Sequence, residues 1–208
     1  MSPPAASAGD TSSAKRRQIL DGARQVFSEF GYERASVDQI AARAGVSKAT
    51  VYNHFQDKKA LFVAAVVENC EGFSHALERC LAGRGLDPEE GLRTIGEQIL
   101  TLSLSPPVAS LYRQTIAEAG RMPELGRLVY ERGTLALQEA VASQLRRWND
   151  SGALRIDDAR SAAIAFIALC GGDLTIRMRL GALDPPVEPL IHEAVERAVS
   201  IFVRAHRP

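Results

Sequence analysis

Long apolar runs, cysteines and aromatic residues are all scarce in this chain of 208 residues. The longest uncharged apolar run, 161–172, is shorter than the roughly 17–25 residues of a membrane-spanning helix, which predicts a protein without a membrane partner. Three cysteines are too few for a disulfide framework, and the polar N-terminus lacks the apolar core of a signal peptide. We therefore expect a cytoplasmic protein.

Motifs for catalysis and cofactor binding are also missing. The sequence contains no GxGxxG, P-loop or GxSxG motif, and Cys70, Cys80, Cys170 and His75 form no pair at metal-ligand spacing. Without a nucleophile, a base and a group to orient it, an all-α enzyme is the weakest alternative. We expect no catalytic residue, no metal and no cofactor.

Helix-forming residues are abundant instead, with Ala, Leu, Arg and Glu dominating the composition. Apolar residues recur at helical spacing, and Gly or Pro separates the segments, which predicts an all-α fold. We expect a disordered tail over 1–11, a compact N-terminal domain over 12–60 and a larger helical domain over 61–208. In the first domain, Gly31 is expected to end the opening helix.

The formal net charge of zero hides an asymmetry between these two parts. Residues 1–60 contain nine Lys and Arg against six Asp and Glu, a net charge of +3, and the remainder carries −3. All four lysines lie in the first 60 residues. A basic N-terminal part on a mildly acidic body indicates an anion-binding domain attached to a larger one.

Residues 36–54 have the layout of a helix-turn-helix. Ser36 followed by Gln39 predicts a capping box, Gly45 supplies the turn, and Ser47 caps a second short helix. On that second helix Val46, Val51 and Phe55 are expected to face inward, which leaves a polar face outward. Small, aromatic and amide side chains on an exposed short helix suit base edges in a major groove, although an ordinary αα-hairpin with a solvated face has the same layout.

Residues 15–62 resemble the DNA-binding domain of TetR-family transcriptional regulators. The resemblance covers the Phe-X-X-X-Gly-Tyr end of the first helix, at Phe27–Tyr32, and Val-Ser-X-X-Thr-Val-Tyr-X-His-Phe-X-X-Lys, at Val46–Lys58. It implies an N-terminal three-helix helix-turn-helix domain and a C-terminal helical domain for ligand binding and dimerisation. The C-terminal half resembles the AefR-like subgroup more loosely.

The resemblance also implies which residues contact double-stranded DNA. The recognition helix corresponds to Ser47–Phe55, and phosphate or base contacts are expected at Ser36, Ser47, Lys48, Ala49, Thr50, Tyr52, Asn53, His54 and Lys58. Base reading is expected of Lys48, Ala49, Tyr52 and Asn53, and phosphate contact is expected of Ser36, Thr50, Tyr52, His54 and Lys58.

Members of the family dimerise through their last two helices, and the helical periodicity predicts which residues do so here. The segment 158–180 is apolar nearly all round, so one side could meet the chain's own core and the other a partner. The predicted interface residues are Ala163, Ile167, Leu174, Ile191, Val195, Val199 and Phe202. The alternative is a single large core within one chain.

The family also binds a small-molecule effector in an internal cavity of the C-terminal domain. The candidate lining residues are Phe62, Val66, Phe73, Leu100, Leu104, Leu111, Tyr112, Ile116, Met122, Phe166 and Cys170. Any of these could equally be plain core.

The sequence therefore predicts a DNA-binding transcriptional regulator. The favoured form is a homodimeric repressor of a palindromic operator that an effector of unknown identity releases. The alternative is an activator, or a regulator controlled by a protein partner or by no effector at all. A closed apolar cavity in the body would favour the first.

Overall fold

The computed structural model of the chain describes the backbone of residues 8–81, 87–184 and 187–208. Side chains at 8–11, 69–71, 73–76, 78, 80, 81, 107 and 111 lie outside the description. Within the described ranges the chain is helical with no strand, which confirms the all-α prediction. Backbone contacts divide it into two compact units, Met1–Asn69 and Cys70–Pro208.

The first unit contains three helices and the beginning of a fourth. They are α1 (Ala8–Arg34), α2 (Val37–Arg43), α3 (Lys48–His54) and α4 (Lys58–Leu81). The division expected between residues 60 and 61 falls in the first turn of α4, which continues into the second unit.

An aromatic and aliphatic core holds the first unit together. Ile19, Phe27, Ile40 and Phe62 are fully buried. The Phe62 ring lies edge-on to Phe27, with ring centroids 4.9 Å apart, and 4.9 Å from the ring of Tyr32. Aromatic pairs at these distances contribute packing energy beyond the burial of their surface, so this cluster fixes α4 against α1.

The ends of α1 differ from the expectation. The helix begins at Ala8, so that part of the segment expected to be disordered is helical, while residues 1–7 lie outside the described part of the chain. Gly31 leaves helical geometry, at φ 77° and ψ 166°, but the helix resumes and ends at Arg34. Gly31 therefore interrupts the helix at the predicted position, and a short helical segment follows it up to Arg34.

The second unit contains the rest of the helices. They are α5 (Pro88–Ser103), α6 (Pro106–Ala119), α7 (Pro123–Val129), a π-helical segment (Tyr130–Leu135), α8 (Ala136–Asp150), α9 (Ala159–Leu180) and α10 (Glu188–Ala205). Asp87 caps α5 by accepting hydrogen bonds from the backbone N–H groups of Glu89 and Glu90, with Pro88 in the first turn. Asp158 caps α9 by accepting the backbone N–H of Arg160.

Helix α9 lies at the centre of the second unit and packs against α5, α8 and α10. Its buried Phe166 meets Phe202 of α10 edge-on, with ring centroids 5.3 Å apart. By length and composition alone α9 could cross a membrane, since it extends beyond the uncharged run that the sequence analysis counted. Ala163, Phe166 and Cys170 of this helix are buried in the core of the second unit.

Candidate nucleic-acid interface

The helix-turn-helix is built as its sequence predicts. The Ser36 hydroxyl accepts the backbone N–H of Gln39, and the Gln39 side chain accepts the backbone N–H of Ser36, so the capping box is complete. Gly45 has φ 62°, a left-handed conformation that residues with a Cβ rarely adopt, and lets the chain turn from α2 into α3. The backbone N–H of Val46 then closes the turn on Ala41.

The turn is held against α1 by close contacts. A Cβ added to Gly22 would lie 2.9 Å from the Cβ of Ala44, so α1 and the end of α2 approach as closely as their backbones allow. The Gln18 side-chain amide donates to the Ala44 carbonyl at 2.6 Å. These contacts fix the direction in which α3 leaves the turn, a constraint that the sequence analysis did not identify.

Helix α3 presents two different faces. Ser47 caps it by accepting the backbone N–H of Thr50, while Val51 and Phe55 are buried as predicted. Lys48, Ala49 and Asn53 are exposed, and Tyr52 is 48% exposed, the one large exposed hydrophobic side chain among the described residues of the first unit. The predicted base-reading residues thus form the open surface of the helix.

Lys48 has a partner that the sequence analysis missed. Its ammonium donates to Oδ2 of Asp38, in the first turn of α2, at 2.9 Å. This hydrogen bond, with the charge of Asp38, raises the pKa of Lys48, so the amine stays charged. The sequence contains one signal for this ion pair, because it places two opposite charges ten residues apart on the two helices of a helix-turn-helix.

The residues expected to contact phosphate occupy different environments. Ser36 and Ser47 serve as caps, and the Ser47 and Thr50 hydroxyls lie 2.8 Å apart. His54 is partly buried beside the Phe55 ring at the end of α3. Thr50 and His54 keep exposed surface and stay candidates for phosphate contact.

Lys58 does not have the expected environment. Its ammonium donates to the carbonyls of Tyr32, Glu33 and Ala35 at 2.9, 3.2 and 3.2 Å, and lies 4.6 Å from the centre of the Tyr32 ring. An ammonium has three hydrogens to donate, so these three carbonyls occupy all of them. Lys58 thus joins the start of α4 to the end of α1, an intramolecular contact that competes with the expected phosphate contact.

The predicted interface residues of the second unit are mostly its own core. Ala163, Leu174, Ile191, Val195, Val199 and Phe202 are buried within one chain, and Ile167 is partly buried. The apolar stripe of α10 faces α5 and α9 of the same chain because these helices offer it the nearest apolar surface. The predicted set is therefore corrected: except for Ile167, these residues pack inside the chain.

The predicted effector residues differ in burial and belong to both units. Phe62 and Val66 are buried in the first unit, and Ile116 is exposed. Tyr112 is partly buried, and Arg179 packs over its ring. The others buried in the second unit are Leu100, Leu104, Met122, Phe166 and Cys170. The side chains of Phe73 and Leu111 lie outside the described residues.

Of the predicted pocket residues, Cys170 lines a surface depression between α9 and α10, which has a volume of about 210 Å³. Burial raises the pKa of its thiol to about 12, so the thiol is protonated and unreactive at neutral pH. A wider depression of about 610 Å³ lies between the 155–158 loop and the end of α10, lined by Arg155, Ser161 and His206 among others. Neither has the closed apolar form expected of an effector cavity.

Comparison with known families assigns both halves of the chain. Residues 19–65 match the model of bacterial regulatory proteins of the tetR family, and residues 90–208 match the C-terminal domain of AefR-like transcriptional repressors. The chain belongs to the TetR family of transcriptional regulators. These proteins bind DNA and are not enzymes, as the sequence predicts.

Related TetR-family proteins match over nearly the whole chain. The HTH-type transcriptional repressor Rv1474c of Mycobacterium tuberculosis is 31% identical over 91% of this chain and 95% of its own length. A TetR-family regulator from Mesorhizobium loti superposes with a TM-score of 0.89 at 26% identity, over 95% of this chain and 98% of that one. A structure named flavonoid-responsive regulator FrrA is 34% identical, with a TM-score of 0.71, over 94% and 98% of the two chains.

Proposed function

We propose that this TetR-family regulator is a cytoplasmic repressor that binds a palindromic operator as a homodimer and dissociates when a small molecule binds its second unit. The observation that carries the DNA-reading part is the division of α3 into a buried face, at Val51 and Phe55, and an open face around Tyr52. Two such helices in one dimer would enter successive major grooves about 34–36 Å apart.

The contacts on DNA divide into two kinds. Lys48, Ala49, Tyr52 and Asn53 lie on the exposed surface of α3, where they can meet base edges. Ser36, Ser47, Thr50 and His54 lie at the ends or the flank of the same helices and are assigned to phosphate. Phosphate contacts set the register on the duplex, and base contacts choose the sequence.

The homodimer is supported by apolar surface that the second unit leaves uncovered. Helix α9 exposes Ile164, Leu169, Ile176 and Leu180, and α10 exposes Ile201. Apolar side chains grouped on one central helix indicate a surface that a second copy would cover. We propose these residues, with Ile167, as the dimer contacts.

The effector is proposed to bind within the second unit. Thr115 and Glu118 lie one turn apart on α6 and are buried polar side chains. Ligand sites in proteins combine apolar walls with a few polar groups of this kind. The resemblance to FrrA, which is named for its response to flavonoids, makes a flavonoid the first probe to test.

The DNA-reading assignment can be tested with one substitution and its control. Selection of bound duplexes from a random pool gives an operator, and fluorescence anisotropy gives the affinity for it. Tyr52→Ala should weaken operator binding by about ten-fold or more, since a base contact contributes roughly 1–3 kcal/mol. Tyr130→Ala truncates a tyrosine of similar exposure, 53%, in the second unit and should leave the affinity unchanged. Equal effects of the two substitutions would contradict the assignment.

Effector release needs a separate measurement. The flavanone naringenin is titrated into the protein–operator complex, and into complexes of the Glu118→Gln variant. Release by the wild type at micromolar concentration, with weaker release of the variant, supports the proposal. If neither naringenin nor a panel of other apolar compounds releases the operator, control by a protein partner is the better account.

A further inference from the structure

The ion pair between Asp38 and Lys48 lies on the surface that is proposed to face DNA. It joins the first turn of α2 to the first residue of α3, with Nζ and Oδ2 2.9 Å apart, and the two side chains are 67% and 52% exposed. Ion pairs this exposed contribute little to folding stability. The buried residues Ile40, Ala41 and Val51 already stabilise α2 and α3. The main effect of the ion pair is therefore to hold the Lys48 ammonium in one position.

The pair retains the capacity for further hydrogen bonds. Lys48 donates one of its three ammonium hydrogens to Asp38, which leaves two that can be donated to other acceptors. The Asp38 carboxylate contacts Lys48 through Oδ2, and because its side chain is exposed and no contact to Oδ1 is described, Oδ1 can accept from a donor outside the chain. Side by side, the pair presents two donors and one acceptor.

A base pair with the complementary arrangement is G·C. In the major groove guanine presents two acceptors, N7 and O6, and cytosine presents its N4 amino donor next to O6. Lysine is a common partner of guanine, and aspartate accepts from cytosine N4. An A·T pair presents the adenine N6 amino donor between two acceptors, adenine N7 and thymine O4. The N6 donor would then face one of the Lys48 hydrogens, which is also a donor.

We propose that Asp38 is a specificity-determining residue, which holds Lys48 in place and joins it in recognising one G·C base pair in each half-site. The assignment rests on the proposed role of α3 in reading DNA. Asp38 also acts against other sequences, because a carboxylate next to phosphates repels DNA wherever no cytosine amino group compensates for it. It therefore lowers non-specific binding and raises specific binding.

The test compares Asp38→Ala with Glu29→Ala. Glu29 forms an exposed ion pair with Arg43, at 2.8 Å, in the same unit. Both substitutions remove one negative charge and break one surface pair, but Glu29 lies on α1. Anisotropy with the selected operator and with a random duplex gives the ratio of specific to non-specific affinity for each full-length protein. Asp38→Ala should lower this ratio about ten-fold, partly by tighter binding to random DNA, and Glu29→Ala should leave it unchanged.

Repeating the selection with each variant tests the base pair itself. Wild type and Glu29→Ala should require G·C at one position of each half-site, and Asp38→Ala should accept any pair there. Equal ratios for the two variants, or an unchanged preference with Asp38→Ala, would overturn the proposal. Lys48→Ala separates this failure from that of the proposed function: if it weakens operator binding while Asp38→Ala resembles the control, α3 reads DNA without Asp38.

Discussion

The two units differ in how completely one chain buries its apolar residues. In the first unit, the described part of the chain leaves one large hydrophobic side chain exposed, Tyr52, at the proposed DNA-reading surface. The second unit exposes Ile116, Tyr130, Ile164, Leu169, Ile176, Leu180 and Ile201. The first unit therefore completes its core within one chain and directs its polar face outward, whereas the second unit leaves several large apolar side chains exposed.

The largest expected effect is on the core of the first unit. Phe62→Ala removes a fully buried ring that contacts Phe27 and Tyr32, so the free energy of unfolding should fall by about 3–5 kcal/mol. Urea denaturation measures the loss. Phe30→Ala, at a partly exposed position of α1, is the control and should cost clearly less. If Phe62→Ala instead left stability intact and changed the response to an effector, Phe62 would belong to a pocket and the first unit would not be self-contained.

A charge placed on the exposed face of α9 tests whether the exposed apolar residues of the second unit form the proposed dimer contact. Ile176→Glu should raise the dimer dissociation constant at least 100-fold, about 3 kcal/mol, because a carboxylate would be buried without a partner. Ile116→Glu introduces the same charge on α6, at 52% exposure against 53% for Ile176. Sedimentation velocity across a concentration series should show dissociation of the first variant and none of the second. Dissociation of both, or of neither, would remove α9 from the interface.

The same difference explains how much of the structure the sequence could predict. Local signals placed Ser36, Gly45 and Ser47, because a cap and a left-handed turn are fixed by neighbouring residues. The faces of α3 followed from helical spacing. The core residues Val195 and Phe202, which were expected at the interface, could not be placed in the same way, since periodicity shows that a face is buried but not whether the same chain or a partner buries it.

Contacts that a side chain makes with another helix could not be predicted from the sequence either. The contact between Asp38 and Lys48 depends on the turn that brings α2 and α3 together, and that of Lys58 depends on where α1 ends. Each lysine is the first residue of its helix. What it touches there is a property of the packed unit.

A substitution at the kink of α9 has an intermediate effect. Gly172 has φ 35° and ψ −128°, so Gly172→Ala should destabilise the chain by about 1–2 kcal/mol even though nothing crowds its missing Cβ. Gly120 is equally uncrowded but has φ −67°, and Gly120→Ala should be neutral or stabilising. Thermal denaturation of both variants compares them. Equal stability would mean that the backbone at Gly172 does not require the positive φ that favours glycine.

The smallest expected effect concerns Lys58, and it distinguishes a structural contact from a DNA contact within the first unit. Lys58→Met keeps the apolar stem and removes the ammonium that three carbonyls at the end of α1 accept. The loss should be about 1 kcal/mol of unfolding free energy, because the side chain is only partly buried and water can replace it at the carbonyls. Urea denaturation measures this change, and Lys59→Met, which removes the same charge at the next residue, should cost less.

The dependence of operator affinity on salt then decides between the two roles of Lys58. A lysine that neutralises a phosphate contributes about 0.9 to the slope of log K against log salt concentration, so removing it would flatten the slope by about one unit. Because its hydrogens are already donated within the chain, Lys58→Met should leave the slope unchanged while lowering stability. A flattened slope with unchanged stability would show that Lys58 exchanges its carbonyl partners for phosphate, so that the first unit too would complete its contacts only when a partner molecule binds.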